Sequence, residues 1–246
     1  MQTVRIAELL EPFLGPSSDQ RLTTSDLNNI STYIDILLRW NARINLTAIR
    51  DPEQIVTRHF GESLFAARHL LLREAPVGLF GGSAALQGRV AGTKERGASA
   101  PAAGTVADLG SGAGFPGIPL KIWAPHIHLT LIEANHKKAT FLREIARALT
   151  LTDIDILTTR AETLATQFDL VTLRAVERFD AVLPVAARLV APGGRLALLI
   201  SSGQFDVARE SLSDLAWSDP IAVPASHSRV LAVAHRGVVE RRREPT

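Results

Sequence analysis

The sequence predicts an α/β protein, a parallel sheet with helices on both faces, preceded by a helical N-terminal region. Three observations predict it. Strand-like and helix-like patterns alternate from Thr105 onward, a glycine-rich loop joins the first of those strands to its helix, and a composition of 46% hydrophobic and 21% charged residues supports a packed core. The 246 residues suit one α/β domain with an appendage better than two large domains.

The first 74 residues read as helical. Leu27, Ile30, Ile34, Leu37 and Leu38 recur at helical spacing behind Thr24 and Ser25, either of which can cap the free N–H groups. A second helix is expected at Asp51-Pro52, where Asp caps and Pro suits the first helical position, with Ile55, Val56 and Phe60 inward and Gly61 as an interruption. An Asn45-Leu46-Thr47 turn separates the two. Residues 75–104 change character, being rich in Gly and Ala, and read as a linker in which a hairpin around Leu79 and Phe80 is the alternative.

Residues 105–246 form the core. Strands are expected at Val106–Leu109, Ile127–Ile132, Ile154–Leu157, Phe168–Leu173 and, after a Pro192-Gly193-Gly194 turn, Leu196–Ile200. Helices are expected at Ile118–Trp123 and Lys137–Leu149, the latter with Ala139, Leu142, Ile145 and Leu149 inward. Ile221–Val223 and Val230–Ala234 follow each other without a helix, so an antiparallel pair closes the sheet.

Composition excludes several chemistries. With no cysteine, disulfide scaffolds, cysteine nucleophiles and cysteine-based metal sites are ruled out. The net charge is only +2, and the sequence pI of about 9.4 overstates it, because without Cys and with one Tyr little titrates between neutrality and the arginines. Met1–Pro16 carries Arg5, Glu8 and Glu11 and no long apolar core, so no export signal is expected. No apolar run reaches the roughly 18 residues of a spanning helix, so a cytoplasmic protein without membrane contact is expected. His126 and His128 alternate at a strand start without a further ligand cluster, and no metal site is expected.

The loop Asp108-Leu109-Gly110-Ser111-Gly112-Ala113-Gly114-Phe115-Pro116-Gly117 is the functional centre of the sequence. Glycines admit positive φ and close ligand approach, and the following helix offers N–H groups. Gly112-x-Gly114-x-x-Gly117 fits the dinucleotide fingerprint, with Glu133 at the end of the second strand as a ribose acceptor. Read as Asp108-x-Gly110-x-Gly112-x-Gly114, the same segment resembles the loop of S-adenosylmethionine-dependent methyltransferases, which again uses an acid such as Glu133 on the ribose hydroxyls. A P-loop fails because Ile118-Pro119 stand where Lys-Ser/Thr would follow, and a short-chain dehydrogenase fails because the only Tyr, Tyr33, lies in the N-terminal region.

The rest of the chain resembles one family, glucose-inhibited division protein B, the small-subunit ribosomal RNA guanine-N7 methyltransferases. The resemblance is carried by Trp40-Asn41, Asn45-Leu46-Thr47, Arg50-Asp51-Pro52, Arg58-His59 and Ser63, by Gly114-Phe115-Pro116-Gly117-Ile118-Pro119, and by Lys137-Lys138 with Phe141-Leu142. Arg160-Ala161-Glu162, Arg174-Ala175 and Pro192-Gly193-Gly194 extend it.

The resemblance implies a class I S-adenosylmethionine-dependent methyltransferase with a Rossmann-like sheet, acting on 16S rRNA or the small ribosomal subunit as a monomer. It implies Asp108, Gly110, Gly112, Gly114, Phe115, Glu133, Ala161, Glu162 and Arg174 around the cofactor, and Arg174 where cofactor and target meet. Asn45, Arg58 and His59 match the family in the N-terminal region and are implied in holding the target. The chain departs from the family at Ser201-Ser202-Gly203-Gln204, with Ser202 in place of the Lys of the usual Lys-Gly, and at Glu62, where Asp is usual; Arg229 keeps the basic position before the last strand. Arg39, Arg43, Lys137, Lys138, Arg241, Arg242 and Arg243 are the further candidates for RNA contacts. The alternatives are a methyltransferase of the same fold acting on another RNA or a small molecule, or a homologue that binds cofactor and RNA without catalysis.

Overall fold

The computed structural model describes residues 1–15, 22–71, 104–175 and 178–238. The expected linker apart from Gly104, its alternative hairpin at Leu79 and Phe80, and Arg241, Arg242 and Arg243 lie outside the described residues.

Helix α1 (Thr3–Leu14) turns Ile6, Leu10, Phe13 and Leu14 inward on one face. Helix α2 (Thr24–Asn41) begins one residue after its cap: Thr23 Oγ1 accepts from Asp26 N while Asp26 Oδ2 accepts from Thr23 N, a reciprocal capping box. The cap expected at Asp51 is present, since its Oδ1 accepts from Gln54 N and Pro52 opens the short α3 (Pro52–Gln54).

Gly61 does not interrupt the helical path. The chain runs through a π-helical stretch, Ile55–Gly61, directly into α4 (Glu62–Leu70). The glycine serves packing instead, because a Cβ there would fall 2.6–2.9 Å from the Phe13 ring of α1.

The sheet comprises β1 (Thr105–Leu109), β2 (His128–Ile132), β3 (Ile154–Leu157), β4 (Phe168–Arg174), β5 (Val190–Ser201), β6 (Ala216–Trp217), β7 (Ile221–Ala222) and β8 (Arg229–His235). Its order is β3-β2-β1-β4-β5-β8-β6, with β7 also beside β8. Strands β1 to β5 are parallel and β8 is antiparallel to β5, β6 and β7, so the closing antiparallel pair is as expected. This is the doubly wound parallel sheet with an antiparallel edge that the sequence patterns predict. Strand order reverses between β1 and β4, the place where α/β sheets open a crevice at their carboxyl ends.

Pro192-Gly193-Gly194 is not a turn ahead of β5 but lies within it. Phe168 pairs with Val190 and Leu170 with Arg195, so Ala191–Gly194 bulge opposite Asp169. A Cβ at Gly194 would lie 2.9–3.1 Å from three carbonyl oxygens, which is why glycine occupies the bulge.

Helices α5 (Gly117–Trp123) and α6 (His136–Ala148) cover one face of the sheet, α7 (Phe179–Leu189) and α8 (Ser202–Ser211) the other. The N-terminal helices share a single core with α5 and α6, in which Ile6, Tyr33, Phe60 and Leu64 pack with Ile118, Leu131 and Phe141. Trp40 Nε1 donating to Glu144 Oε2 at 2.9 Å adds a polar tie between α2 and α6. The helical region is therefore placed over the glycine loop, not beside the sheet.

Candidate active site

The carboxyl ends of β1, β2 and β4 build the site. Gly110, Gly112 and Gly114 have φ of 64°, 54° and 84°, the left-handed region that favours glycine. Their surroundings divide them. Among the described residues, a Cβ at Gly112 would meet only Gly110 O, at 3.6 Å, so this stretch of loop has room above its backbone. A Cβ at Gly114 would run into Tyr33 Oη, Ile118 Cδ1 at 2.8 Å and Leu142 Cδ2 at 3.1 Å, so this glycine belongs to the core.

Glu133 closes the loop's other side. Its Oε2 accepts from Gly112 N at 2.8 Å and its Oε1 from Asn135 N at 2.7 Å, while Asn135 Oδ1 caps α6 through Lys137 N and Lys138 N. Past β3, Ala161 is buried and Glu162 exposed in a 3₁₀ turn, Ala161–Thr163.

Asp108 lies beneath the loop, fully buried. Its Oδ1 accepts from Thr172 Oγ1 at 2.8 Å and its Oδ2 from Gly117 N at 3.3 Å. Burial pushes the carboxyl up to about 7 from 3.8, with the Thr172 and Gly117 hydrogen bonds opposing. Below pH 3.8 the group is protonated folded or unfolded, and above about 7 it is ionised in both, so stability falls as pH rises through that window. Asp108→Asn should remove this slope without unfolding the protein. Thr172 Oγ1, also 3.3 Å from Ala107 O, can donate there and accept from the new amide. Urea melts from pH 4 to 8 on both proteins test it; parallel curves would refute the assignment.

Phe115 is gripped by the N-terminal helices. Its ring stacks on Tyr33 (centroids 5.3 Å, planes 6° apart) and on His59 (4.7 Å, 22°), and Phe60 meets it edge-on at 5.1 Å. Tyr33 also donates to Ala113 O inside the loop.

Arg174 ends β4 and is 8% exposed. Its Nη2 donates to Glu62 Oε2 at 2.9 Å and to Arg58 O at 2.6 Å, and its Nη1 to His59 Nδ1 at 3.1 Å. Glu62, 2% exposed, is also approached by Arg58 Nε at 3.4 Å and Arg229 Nε at 3.5 Å. Three guanidinium groups thus converge on one carboxylate, leaving the cluster positively charged. Burial first, then Arg174, Arg58 and Arg229, hold His59 down at about 3, so its imidazole is neutral.

The three N-terminal candidates separate. Arg58 and His59 sit in the π-helical stretch and touch this cluster, whereas Asn45 is exposed in its turn. Asn41 orders that turn, accepting from Leu46 N and Thr47 N and donating to Thr47 O.

The chain matches the GidB family, described as rRNA small subunit methyltransferase G, over residues 26–77 and 96–219. Ribosomal RNA small subunit methyltransferase G of Xanthomonas euvesicatoria pv. vesicatoria is 34% identical over 83% of this chain and 84% of that relative. The protein belongs to the methyltransferase G family. The relative of the same description from Xylella fastidiosa is 32% identical over 85% of this chain and 84% of its own. Among solved structures, ribosomal protein L11 methylase of Lactobacillus delbrueckii subsp. bulgaricus is similar at 18% identity and a TM-score of 0.47, covering 54% of this chain and 70% of that one.

The residues present fit the S-adenosylmethionine that methyltransferase G requires. The room over Gly112 accommodates a ligand against the backbone, and Glu133 has used one lone pair on each oxygen, leaving acceptors for two ribose hydroxyls. Arg174 Nε, buried without a hydrogen-bond partner among the described residues, is a donor awaiting an acceptor.

Sequence reasoning missed Tyr33 and Thr172 as parts of this site. Tyr33 lies three residues from Ile30 and four from Leu37, so the apolar stripe of α2 pointed to its burial. Its partner Ala113 lies 80 residues away, and nothing local announces it.

Proposed function

We propose that this protein transfers the methyl group of S-adenosylmethionine to N7 of a guanine in 16S rRNA. The observation that carries this reading is that the open glycine loop follows β1 and Arg174 ends β4, the two strands that flank the switch point, in a chain of the methyltransferase G family. Gly110, Gly112 and Glu133 hold the cofactor, with Ala161 and Glu162 toward its adenine end. Asp108, Gly114 and Phe115 act through the loop they support. The cofactor supplies an activated methyl group on a sulfonium sulfur.

No general base is needed, because guanine N7 carries an in-plane lone pair and no proton. The work of the side chains is alignment, which converts an encounter into an effectively unimolecular step worth several kcal/mol. Arg174 follows Leu173, which pairs with Leu109 at the end of β1 where the loop begins, and itself pairs with Leu199 of β5. Arg229 pairs with Ser201 at the end of β5 and so stands on the acceptor side of the switch point. Ser201 is occupied in capping α8, where its Oγ accepts from Gln204 N and Gln204 Oε1 accepts from Ser201 N.

We place the enzyme in the cytoplasm with the small ribosomal subunit or its 16S rRNA as partner; among the described residues no helix is long and apolar enough to cross a membrane. Labelled methyl transfer to 16S rRNA and to small subunits lacking the modification, followed by nucleoside mass spectrometry, tests the function. 7-Methylguanosine is the expected product, and no transfer to either substrate with cofactor binding intact would refute it. Arg58→Ala and Arg229→Ala should each lower the slope of log affinity for RNA against log salt by about 0.7, the value of one phosphate contact on single strands. Unchanged slopes in filter binding would remove these two arginines from the RNA interface.

A further inference from the structure

Arg174 has five N–H donors, and three of its hydrogen bonds are already assigned. Both protons of Nη2 are taken, one by Glu62 Oε2 and one by Arg58 O, so neither fork that includes Nη2 is complete. A bidentate clamp on a carboxylate or phosphate is therefore closed to this guanidinium. Two N–H groups remain, the second on Nη1 and the one on Nε, and of these nitrogens only Nε is buried with no partner among the described residues.

The same contacts define His59. Arginine can only donate, so His59 Nδ1 accepts from Arg174, and the ring proton must lie on Nε2, which donates to Thr47 Oγ1 at 2.8 Å. Thr47 is itself held by Asn41, and one face of the His59 ring rests on Phe115. The charged groups facing His59 are Arg174 from β4, Arg58 from its own π-helical stretch and Arg229 from β8, with Glu62 among them.

We propose that His59 and Glu62 are positioning residues for the methyl transfer, together orienting Arg174 so that its Nε–H is presented as a single donor to one lone-pair oxygen. This rests on the function proposed above. Two sources offer such an oxygen: the carboxylate of the cofactor's methionine part, and O6 of the target guanine. O6 neighbours N7 on the same base edge, so a lone donor there fixes the base and leaves the N7 lone pair free.

Asparagine at 59 keeps an acceptor where Nδ1 stands, whereas glutamine extends toward Nε2 and alanine keeps neither. His59→Ala and His59→Gln should lower kcat/KM about 10- to 100-fold, the scale of a slightly misplaced catalytic group, with His59→Asn recovering most of it. Glu62→Gln should resemble His59→Ala. Weaker S-adenosylmethionine binding by calorimetry, at unchanged KM for RNA, would assign the oxygen to the cofactor. Unchanged cofactor affinity with a loss in kcat or KM for RNA would assign it to the guanine. Either supports the proposal.

His59→Asn performing no better than His59→Gln, or His59→Ala within twofold of the wild type on every parameter, would overturn it. Should the variants fail to fold, nitrogen NMR of the wild type decides: Nδ1 unprotonated and Nε2 protonated from about pH 5 to 8 is expected, and a protonated Nδ1 or a ring titrating in that range would overturn the proposal. The NMR and cofactor arms need no methyl transfer. A wild type that forms no 7-methylguanosine would thus refute the function without touching this arrangement.

Discussion

Replacing Arg174 with alanine should abolish most activity and destabilise the fold in one step. The side chain ends β4 beside the switch point and is the donor assigned above to the reacting groups, and loss of a preorganised donor at a reacting centre lowers turnover by roughly 100- to 1000-fold. Its removal also takes the closest partner from Glu62, which is 2% exposed and then keeps only Arg58 and Arg229 at 3.4 and 3.5 Å. Breaking a buried ion pair by deleting one member costs about 3–5 kcal/mol. For a chain of this size that is a fall in melting temperature of about 6–20 °C. The two losses are separable. Pairing Arg174→Met with Glu62→Leu removes both buried charges and should restore much of the stability, because an apolar replacement of a buried pair is often neutral or better. Activity should not return. A double variant that regains methyl transfer would show that Arg174 serves the fold alone, and single-variant turnover near normal would remove it from the site.

The second large effect divides two glycines that the sequence presents as equivalents. Gly114→Ala should cost about 2–5 kcal/mol, the sum of a left-handed backbone and an overpacked core. Its φ is 84°, and the added methyl would collide with Tyr33 Oη and Ile118. Gly112→Ala carries only the backbone penalty of about 1–2 kcal/mol, since its nearest neighbour would be Gly110 O at 3.6 Å. The methyl would instead stand in the ligand's space, and affinity for S-adenosylmethionine should fall by about tenfold or more, equivalent to at least ~1.4 kcal/mol. Thermal melts and calorimetric titration with the cofactor on both variants check the pair. If Gly112→Ala binds cofactor normally, or Gly114→Ala melts like the wild type, the division of roles is wrong.

Much of the architecture was legible in the residues. Alternating strand and helix patterns, the Asp51-Pro52 cap and the antiparallel pair at the end are local signals, each set by the period of its own apolar positions or by one capping side chain. The misreadings share a cause. Gly61 and Pro192-Gly193-Gly194 look like breaks because glycine and proline weaken regular structure in isolation. In the protein, Phe13 from α1 and the carbonyls of Phe168 and Asp169 demand the space that only glycine leaves. Helices α7 and α8 did not stand out, with Pro184 inside the first of them.

By itself the sequence determined the order of strands and helices, the glycine loop with its acid at Glu133, and the motifs by which the family is known, because these are spacings along the chain. Tertiary structure alone decided that Gly112 is open and Gly114 packed, that Asp108 is buried, and that Tyr33 and His59 sandwich Phe115. It alone decided too that Glu62 and His59 meet Arg174, more than a hundred residues away. Hydrogen bonds, burial and charge act over a few ångströms of space whatever the separation in sequence, so the chemistry of this site exists only once the helical region is folded over the sheet.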